Sequence, residues 1–394
     1  MTKDTAPVLI AGGGIAGLAA ALAFAKHGLA SEVLEREPAF SESGAGIQLG
    51  PNAVRVLEKL GAAKHLKPYI VAPENLIVRD GRSGKTLTKM PLGQTMAARH
   101  GAPYWTAHRG DVLNALLSAA RAQPGITLST GFEVASLSQD DRRVHAISND
   151  GRTRQGELLV GADGRWSAVR RLALGDVRLP FSDYVAYRAV VPVDAIPAPL
   201  QGANVHVWLA PNCHVVHYPV RAGREHALVV VLEEPGTFEG WSTDADVAHV
   251  QRATKNLAAN LSELIHAAAS WRKWALSDPA PFAAWSKGRV ALIGDAAHPV
   301  LPFLAQGGAL ALEDAVVLAR EAAVNLHRPW DALDRYQRQR LARASRVQAA
   351  ARRNGRIYHL SGMSAIARNT VLRAVPPARM IASYDWLFGW RADI

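Results

Sequence analysis

The chain opens on a short apolar run, Val8-Leu9-Ile10, that stops at Gly12-Gly13-Gly14. An apolar run of this length before a turn signal predicts a buried strand. Leu18 to Ala25 is rich in alanine and leucine and ends at Lys26-His27-Gly28, a basic last turn followed by a glycine stop, which predicts a helix. Glu32-Val33-Leu34 predicts a second strand. The opening unit is therefore strand–turn–helix–strand. A further helix is predicted from Pro51 to about Leu60, with proline at its start and Gly61 as its stop. Leu158-Leu159-Val160 and residues 290–293 predict two more buried strands. From Asp183 to Glu233 the pattern changes. Tyr184, Ala186 and Arg188 alternate with Val185, Tyr187 and Ala189. Residues 205–208, 215–218 and 227–231 are strand-like and are separated by Ala210-Pro211-Asn212 and Arg221-Ala222-Gly223. Short alternating strands joined by tight turns predict an antiparallel sheet.

Residues 7–25 are almost all apolar or glycine, and with Lys3 they imitate a membrane span or a signal peptide. Three central glycines, each costing a helix about 1 kcal/mol, argue against one continuous helix. No other stretch reaches the length of a span. Composition is ordinary for a globular chain of 394 residues, with 49% hydrophobic and 20% charged, which excludes disorder and collagen. The one cysteine, Cys213, excludes an intrachain disulfide and a thiolate metal cage, and fits a cytoplasmic setting. No His/Asp/Glu set has ligand spacing, so no metal site is expected. No G-x-S-x-G elbow of a serine hydrolase is present. Lys+Arg 45 against Asp+Glu 34 gives +11, which suits nucleic acid, an anionic membrane surface or small anionic ligands. Arg335, Arg338, Arg340, Arg343, Arg346, Arg352 and Arg353 alternate with Tyr336, Leu341, Val347 and alanines, predicting a long helix with a solvated basic face.

Residues 12–17 fit G-x-G-x-x-G between a buried strand and a helix, with an acid, Glu35, ending the next strand. This is the context a dinucleotide site needs. Gly12 permits the tight turn, Gly14 lets the backbone approach a pyrophosphate, and Gly17 lets helix and strand pack closely. The helix N-terminus presents N–H groups and a positive dipole end to phosphate. Glu35 is placed to accept from ribose hydroxyls. The motif alone leaves NAD and FAD both open. The continuation of the chain, a glycine-rich loop from Ser43 to Asn52 leading into a helix, departs from the regular βαβ order of a nicotinamide dehydrogenase.

Two further motifs change the picture. Residues 161–170, Gly-Ala-Asp-Gly-Arg-Trp-Ser-Ala-Val-Arg, resemble the D-G motif of flavoprotein aromatic hydroxylases. Residues 288–299, with Gly294-Asp295 at the end of the 290–293 strand, resemble their G-D motif, and Pro302, Gln306-Gly307-Gly308 and Glu313-Asp314 continue the match. His108-Arg109-Gly110-Asp111 resembles the arginine segment against the FAD pyrophosphate. The chain is thus similar, from about residue 7 to residue 387, to the single-component FAD-dependent monooxygenases of the para-hydroxybenzoate-hydroxylase fold, with a likeness to salicylate and 3-hydroxybenzoate 6-hydroxylases. The resemblance implies an α/β chain: a Rossmann-like FAD-binding domain with an inserted β-rich substrate domain and a C-terminal helical region. It divides the chain into 1–180 (with substrate-domain elements near 70–105), 181–280, 281–325 and 326–394.

The resemblance assigns FAD contacts to Gly12, Gly14, Ala16, Gly17, Glu35, Arg36, Gln48, Arg109, Val134, Asp163, Asp295, Gly307 and Gly308. For Asp163, capping of the following helix is an equal alternative. The helix after Gly307-Gly308 would aim its N–H groups at the flavin pyrimidine ring. Gln48, Arg188 and Pro302 are assigned to the substrate, and His214, Tyr218 and Gln306 to catalysis. Ala309 stands where many relatives carry a polar residue. His214 and Tyr218, four apart, share one face of a strand while His217 takes the other. His214 is a candidate to accept the phenol proton and Tyr218 to orient the substrate; a satisfied sheet histidine and a packing tyrosine are the competing reading. The implied reaction is NAD(P)H- and O₂-dependent hydroxylation of a phenolic aromatic acid through a flavin C4a-hydroperoxide. Salicylate with decarboxylation, hydroxynicotinate or a larger natural-product phenol are alternative substrates. A basic flavoprotein on nucleic acid or a membrane is the alternative of another class, and salt-dependent binding would mark it. The resemblance implies no nucleic-acid partner and allows a homodimer.

Overall fold

The computed structural model describes residues 6–41, 44–236 and 243–391; Lys3 and Ser43 lie outside them. Two large sheets organise the chain. The first has six strands in the order Ser286–Lys287, Val290–Leu292, Leu158–Gly161, Val8–Ala11, Ser31–Leu34 and Ile126–Ser129. All neighbours are parallel except the short edge strand Ser286–Lys287. Val8–Ala11 and Leu158–Gly161 are buried along their whole length, as strands covered on both faces must be. Helix Ile15–Lys26 is buried on nearly every side and packs against helix Gly307–Val324. That accounts for the false membrane signal. Among the described residues no helix is long and apolar enough to cross a membrane.

Register decides where the ligand-binding edge lies. Ala11 pairs with Gly161, and Gly161 pairs with Leu292, so three strands end level. The three motif loops therefore leave the same carboxyl edge, where open α/β sheets collect ligands.

The second sheet has eight strands: Thr243–Ala245, Trp271–Ser277, Phe181–Pro192, Glu225–Glu233, Cys213–Val220, Asn204–Ala210, Asn75–Asp80 and Thr86–Pro91. It is not wholly antiparallel, because Asn204–Ala210 pairs in parallel with Asn75–Asp80. Neighbours joined by a hairpin must run antiparallel, whereas these two come from distant parts of the chain and carry no such constraint. One face carries Trp208, Val215, Leu228 and Val230 into a core with Val250, Leu261 and Leu264. His214, Val216 and Tyr218 point the other way, toward the first sheet's ligand edge.

Helix Trp330–Tyr358 contains the arginine-rich segment, but its basic face is not simply solvated. Arg340 is 1% exposed, and its Nε donates to Asp314 at 2.7 Å. Arg343 Nε donates to Glu313 at 2.6 Å, Arg352 Nε reaches Asp278 at 2.7 Å, and Arg346 lies 4.0 Å from the Trp386 ring centroid. The long helix forms as expected and Arg338, Arg346 and Arg353 are exposed, but Arg340, Arg343 and Arg352 depart from a solvated face because the acids that neutralise them lie on other elements, beyond the reach of helical spacing. Those pairings also weaken the case for a nucleic-acid face.

Candidate active site

A cavity of about 320 Å³ runs between the ligand edge and the inner face of the second sheet. Its floor is glycine and backbone: Gly14, Ala16, Ala162, Gly164, Asp295, Gly307 and Gly308. Gly12 has φ +104°, and a Cβ there would lie 2.5 Å from the Ala162 carbonyl oxygen. A Cβ on Gly17 would lie 1.9 Å from the Gly12 carbonyl oxygen, so this glycine allows helix and turn to touch. At Gly14 a Cβ would meet no protein atom within 4 Å, which leaves bare backbone facing the cavity. Two helices, Ile15–Lys26 and Gly307–Val324, begin here without side-chain caps. Their first N–H groups form a cradle for anionic groups. Arg109 lines the opposite wall, and Asp295 is exposed at the strand end. A glycine floor, two uncapped helix starts and a cation suit the diphosphate and polar chain of FAD.

A second cavity of about 150 Å³ adjoins the first, and the two share Gln48, His214, Val216, Pro302 and Ala305. It is lined mainly by apolar groups such as Leu76, Val78, Met96 and Leu387, and among the described residues no lysine or arginine lines it. Polar atoms come from a few side chains. The Tyr104 hydroxyl donates to Gln48 Oε1 at 2.8 Å, and Gln48 also hydrogen-bonds Tyr218. Burial pushes the Tyr218 hydroxyl up to about 12 and Tyr104 higher still, so both are donors at neutral pH. His214 is buried, and burial followed by the neighbouring His359 holds its pKa well below the ordinary value. It is a neutral acceptor at the junction of the two cavities. Arg188 lines the larger cavity, packs 4.9 Å from the Trp274 ring centroid, and acts electrostatically on Tyr218.

The sequence-assigned residues divide into two groups. Gly14, Ala16, Gln48, Arg109, Arg188, His214, Tyr218, Asp295, Pro302, Gly307 and Gly308 meet around these cavities. Gln306 does not line either: its side chain is buried and accepts from Asn52 Nδ2 at 3.0 Å, which makes it a scaffold contact. Val134 belongs to the hydrophobic core. Arg36 pairs with Glu37 on the surface. Glu35 accepts from the Gly13 N–H at 2.7 Å and the Glu37 N–H at 2.9 Å, bracing the glycine turn while each oxygen keeps a second lone pair. Asp163 accepts from the Val169 N–H at 3.0 Å, so the capping alternative describes its contact here. Among the described residues no cluster could hold a metal. Tyr104, Asn354, Tyr358, Tyr384 and His359 carry no signal in the sequence that would have marked them. Asn354, Tyr358 and His359 share the end of helix Trp330–Tyr358, whereas Tyr104 and Tyr384 come from distant segments, and no local motif joins them.

Residues 5–351 match the family model for the FAD binding domain. The chain is 37% identical over 384 residues to 3-hydroxybenzoate 6-hydroxylase of Polaromonas naphthalenivorans, covering 98% of this chain and 96% of that protein. It is 35% identical over 387 residues to 3-amino-4-hydroxybenzoate 2-monooxygenase PtnB3 of Streptomyces platensis, covering 98% and 96%. Among solved structures, Klebsiella pneumoniae HpxO complexed with FAD and uric acid superposes with a TM-score of 0.85 at 27% identity, covering 97% of this chain and 96% of that one. The cavity that fits FAD and these full-length similarities agree: the chain belongs to the FAD-dependent aromatic monooxygenases.

Proposed function

We propose that this monooxygenase hydroxylates a phenolic aromatic acid of the hydroxybenzoate type with NAD(P)H and O₂. The observation that carries the reading is the junction: His214 and Gln48 line both the cofactor groove and an adjoining, mainly apolar chamber of about 150 Å³. FAD, when bound, supplies the redox chemistry that takes electrons from NAD(P)H and activates O₂. The chain's own work is placement, proton transfer and exclusion of water. Gly14, Arg109, Asp295 and the Gly307-Gly308 helix start would hold the cofactor. The aromatic ring enters the chamber, whose aliphatic and aromatic walls keep water out. Tyr218, fixed by Gln48 and Tyr104, orients the substrate by donating a hydrogen bond. Arg188, at the edge of the groove, adds the positive field that a carboxylate needs. His214 accepts the phenolic proton, which enriches the ring electronically. We place the reaction in the cytoplasm, where NAD(P)H is supplied, and read the active form as a homodimer.

The test is the purified holoprotein with NADH or NADPH and a panel of hydroxybenzoates, salicylate and hydroxynicotinates, with product masses. Oxidation stimulated by a hydroxybenzoate and a product heavier by one oxygen are expected. His214→Gln should depress hydroxylation while leaving cofactor reduction near normal. Stimulation only by a ring without a phenol would overturn the substrate reading. Light scattering on the same sample reads the oligomeric state.

A further inference from the structure

The base at the junction is not alone. His214 Nδ1 lies 2.7 Å from His359 Nε2, and both rings are buried. His359 stands at the end of the long helix Trp330–Tyr358, on an element remote in sequence from His214. Its other nitrogen, Nδ1, has no hydrogen-bond partner among the described residues and lies 3.8 Å from Glu233 Oε2. Glu233 ends the strand Glu225–Glu233 and is 43% exposed at its side chain. A line of titratable groups therefore runs from the substrate chamber to the surface, with one gap of 3.8 Å before Glu233.

We propose that His359 is a positioning residue that sets the tautomer of His214 and carries the substrate's phenolic proton out toward Glu233. The proposal rests on the reading of His214 as the proton acceptor. Two neutral imidazoles at 2.7 Å must share one proton between facing nitrogens. The Glu233 carboxylate favours a proton on His359 Nδ1. That leaves the His359 Nε2 lone pair to accept from His214 Nδ1–H. His214 Nε2 then carries a lone pair toward the cavities that the ring lines. As the phenol O–H breaks, its proton forms a bond with His214 Nε2. The Nδ1 proton of His214 passes to His359 Nε2, and the Nδ1 proton of His359 passes to Glu233 or water. Both histidines switch from the Nδ1–H to the Nε2–H tautomer, and the substrate is left as phenolate. At 3.8 Å, the last gap closes by rotation of the half-exposed Glu233 side chain.

The surroundings favour hopping over a resident charge. The groups facing His359 are Glu233, the Tyr184 ring at 5.2 Å, the Arg368 guanidinium and His214 itself. Burial, then Arg368, lowers His359 to about 4, so neither imidazole is charged at neutral pH. Arg368 also donates to the Ile357 and Tyr358 carbonyls, fixing the helix end that presents His359.

The probe is 3-hydroxy-4-nitrobenzoate, whose phenolate is yellow, mixed with oxidised holoenzyme in a stopped-flow instrument across a pH range of about 5–7, which approaches the lowered His359 value of about 4 from the neutral side and leaves part of the free phenol protonated. Wild type should ionise the bound phenol rapidly. His359→Gln should bind the probe but slow ionisation at least tenfold and change its pH profile. Glu233→Gln, at the surface, should fold normally and slow ionisation a few-fold, with added buffer restoring the rate. If His214→Asn ionises the probe as fast as wild type, the base reading fails. If His214→Asn is slow while His359→Gln and Glu233→Gln both match wild type in rate and pH profile, the relay alone is overturned.

Discussion

Arg340→Met tests how the buried charges hold the cofactor edge. Arg340 is enclosed by two acids of helix Gly307–Val324. Its Nε donates to Asp314 Oδ1 at 2.7 Å, while Nη1 approaches Glu313 Oε2 at 2.8 Å away from the hydrogen-bonding direction. Asp314 Oδ2 accepts from the Gly294 N–H at 2.9 Å and also contacts His298. Burial alone would raise the Asp314 pKa, but His298 and Arg340 outweigh it and hold it down to about 2. A shift of this size corresponds to about 2–3 kcal/mol, present above pH ~4 and lost as pH falls toward ~2. Methionine fills the volume but leaves the buried Asp314 without its guanidinium, while Glu313 keeps Arg343. Breaking a buried pair from one side costs about 3–5 kcal/mol, a large part of the ~5–15 kcal/mol that holds a protein folded. The measurement is the urea midpoint at neutral pH, with FAD retention after dialysis. Arg335→Met, which removes a part-exposed partner of Glu321, is the control and should cost at most about 1 kcal/mol. Adding Asp314→Asn to Arg340→Met should recover part of the loss. The reasoning is refuted if Arg340→Met shifts the midpoint no more than Arg335→Met and keeps its FAD.

Two other outcomes are expected. Gly17→Ala, with its Cβ 1.9 Å from the Gly12 oxygen, should weaken FAD binding at least tenfold and destabilise the apoprotein; Gly14→Ala should spare the apoprotein and weaken FAD alone, as read by flavin fluorescence titration. On the outer face of the second sheet, His206 and His217 stack at 4.5 Å, with His226 5.8 Å from His217. Burial lowers His206 to about 3 and His226 to about 4, and His217 well below its ordinary value. The unfolded chain therefore takes up these protons first, and stability falls as pH drops from about 6.5 toward about 4. His217→Leu should flatten that slope in urea midpoints taken between pH ~8 and ~5, and an unchanged slope would assign it elsewhere.

The cofactor half of the molecule was legible because its chemistry is local. A glycine that must be a glycine, a strand that must end and a helix that must begin all sit within a few residues of one another. The motif gives Gly12, Gly14 and Gly17 separate tasks, and the φ of Gly12 and the near contact at Gly17 match the tight turn and the close packing among them. His214 and Tyr218 are singled out by the family resemblance; strand periodicity adds only that a period of two puts them on one face and His217 on the other. Gln306 misled because position in a motif does not fix where a side chain turns; here Asn52, on the helix Pro51–Lys59, claims it. The arginines of the long helix misled for a related reason. Helical spacing shows which residues share a face, but not which acids another helix brings against it.

That contrast bears on how the site works. The groove floor is made from backbone groups and absent side chains, so it tolerates little change: adding a single carbon at Gly12 or Gly17 meets a carbonyl oxygen. The chamber is made from side chains on alternate positions of strands and on helix ends, among them Val78, Met90, Val207, Tyr358 and Leu387. Each of these can be exchanged for another apolar or hydroxyl-bearing residue without moving the strand register that aligns Ala11, Gly161 and Leu292. Only the junction residues, His214 and Gln48 above all, belong to both regions. Substitutions confined to the chamber should therefore change which ring is accepted while leaving FAD affinity intact, whereas substitutions at the junction should disturb proton transfer whichever ring is bound.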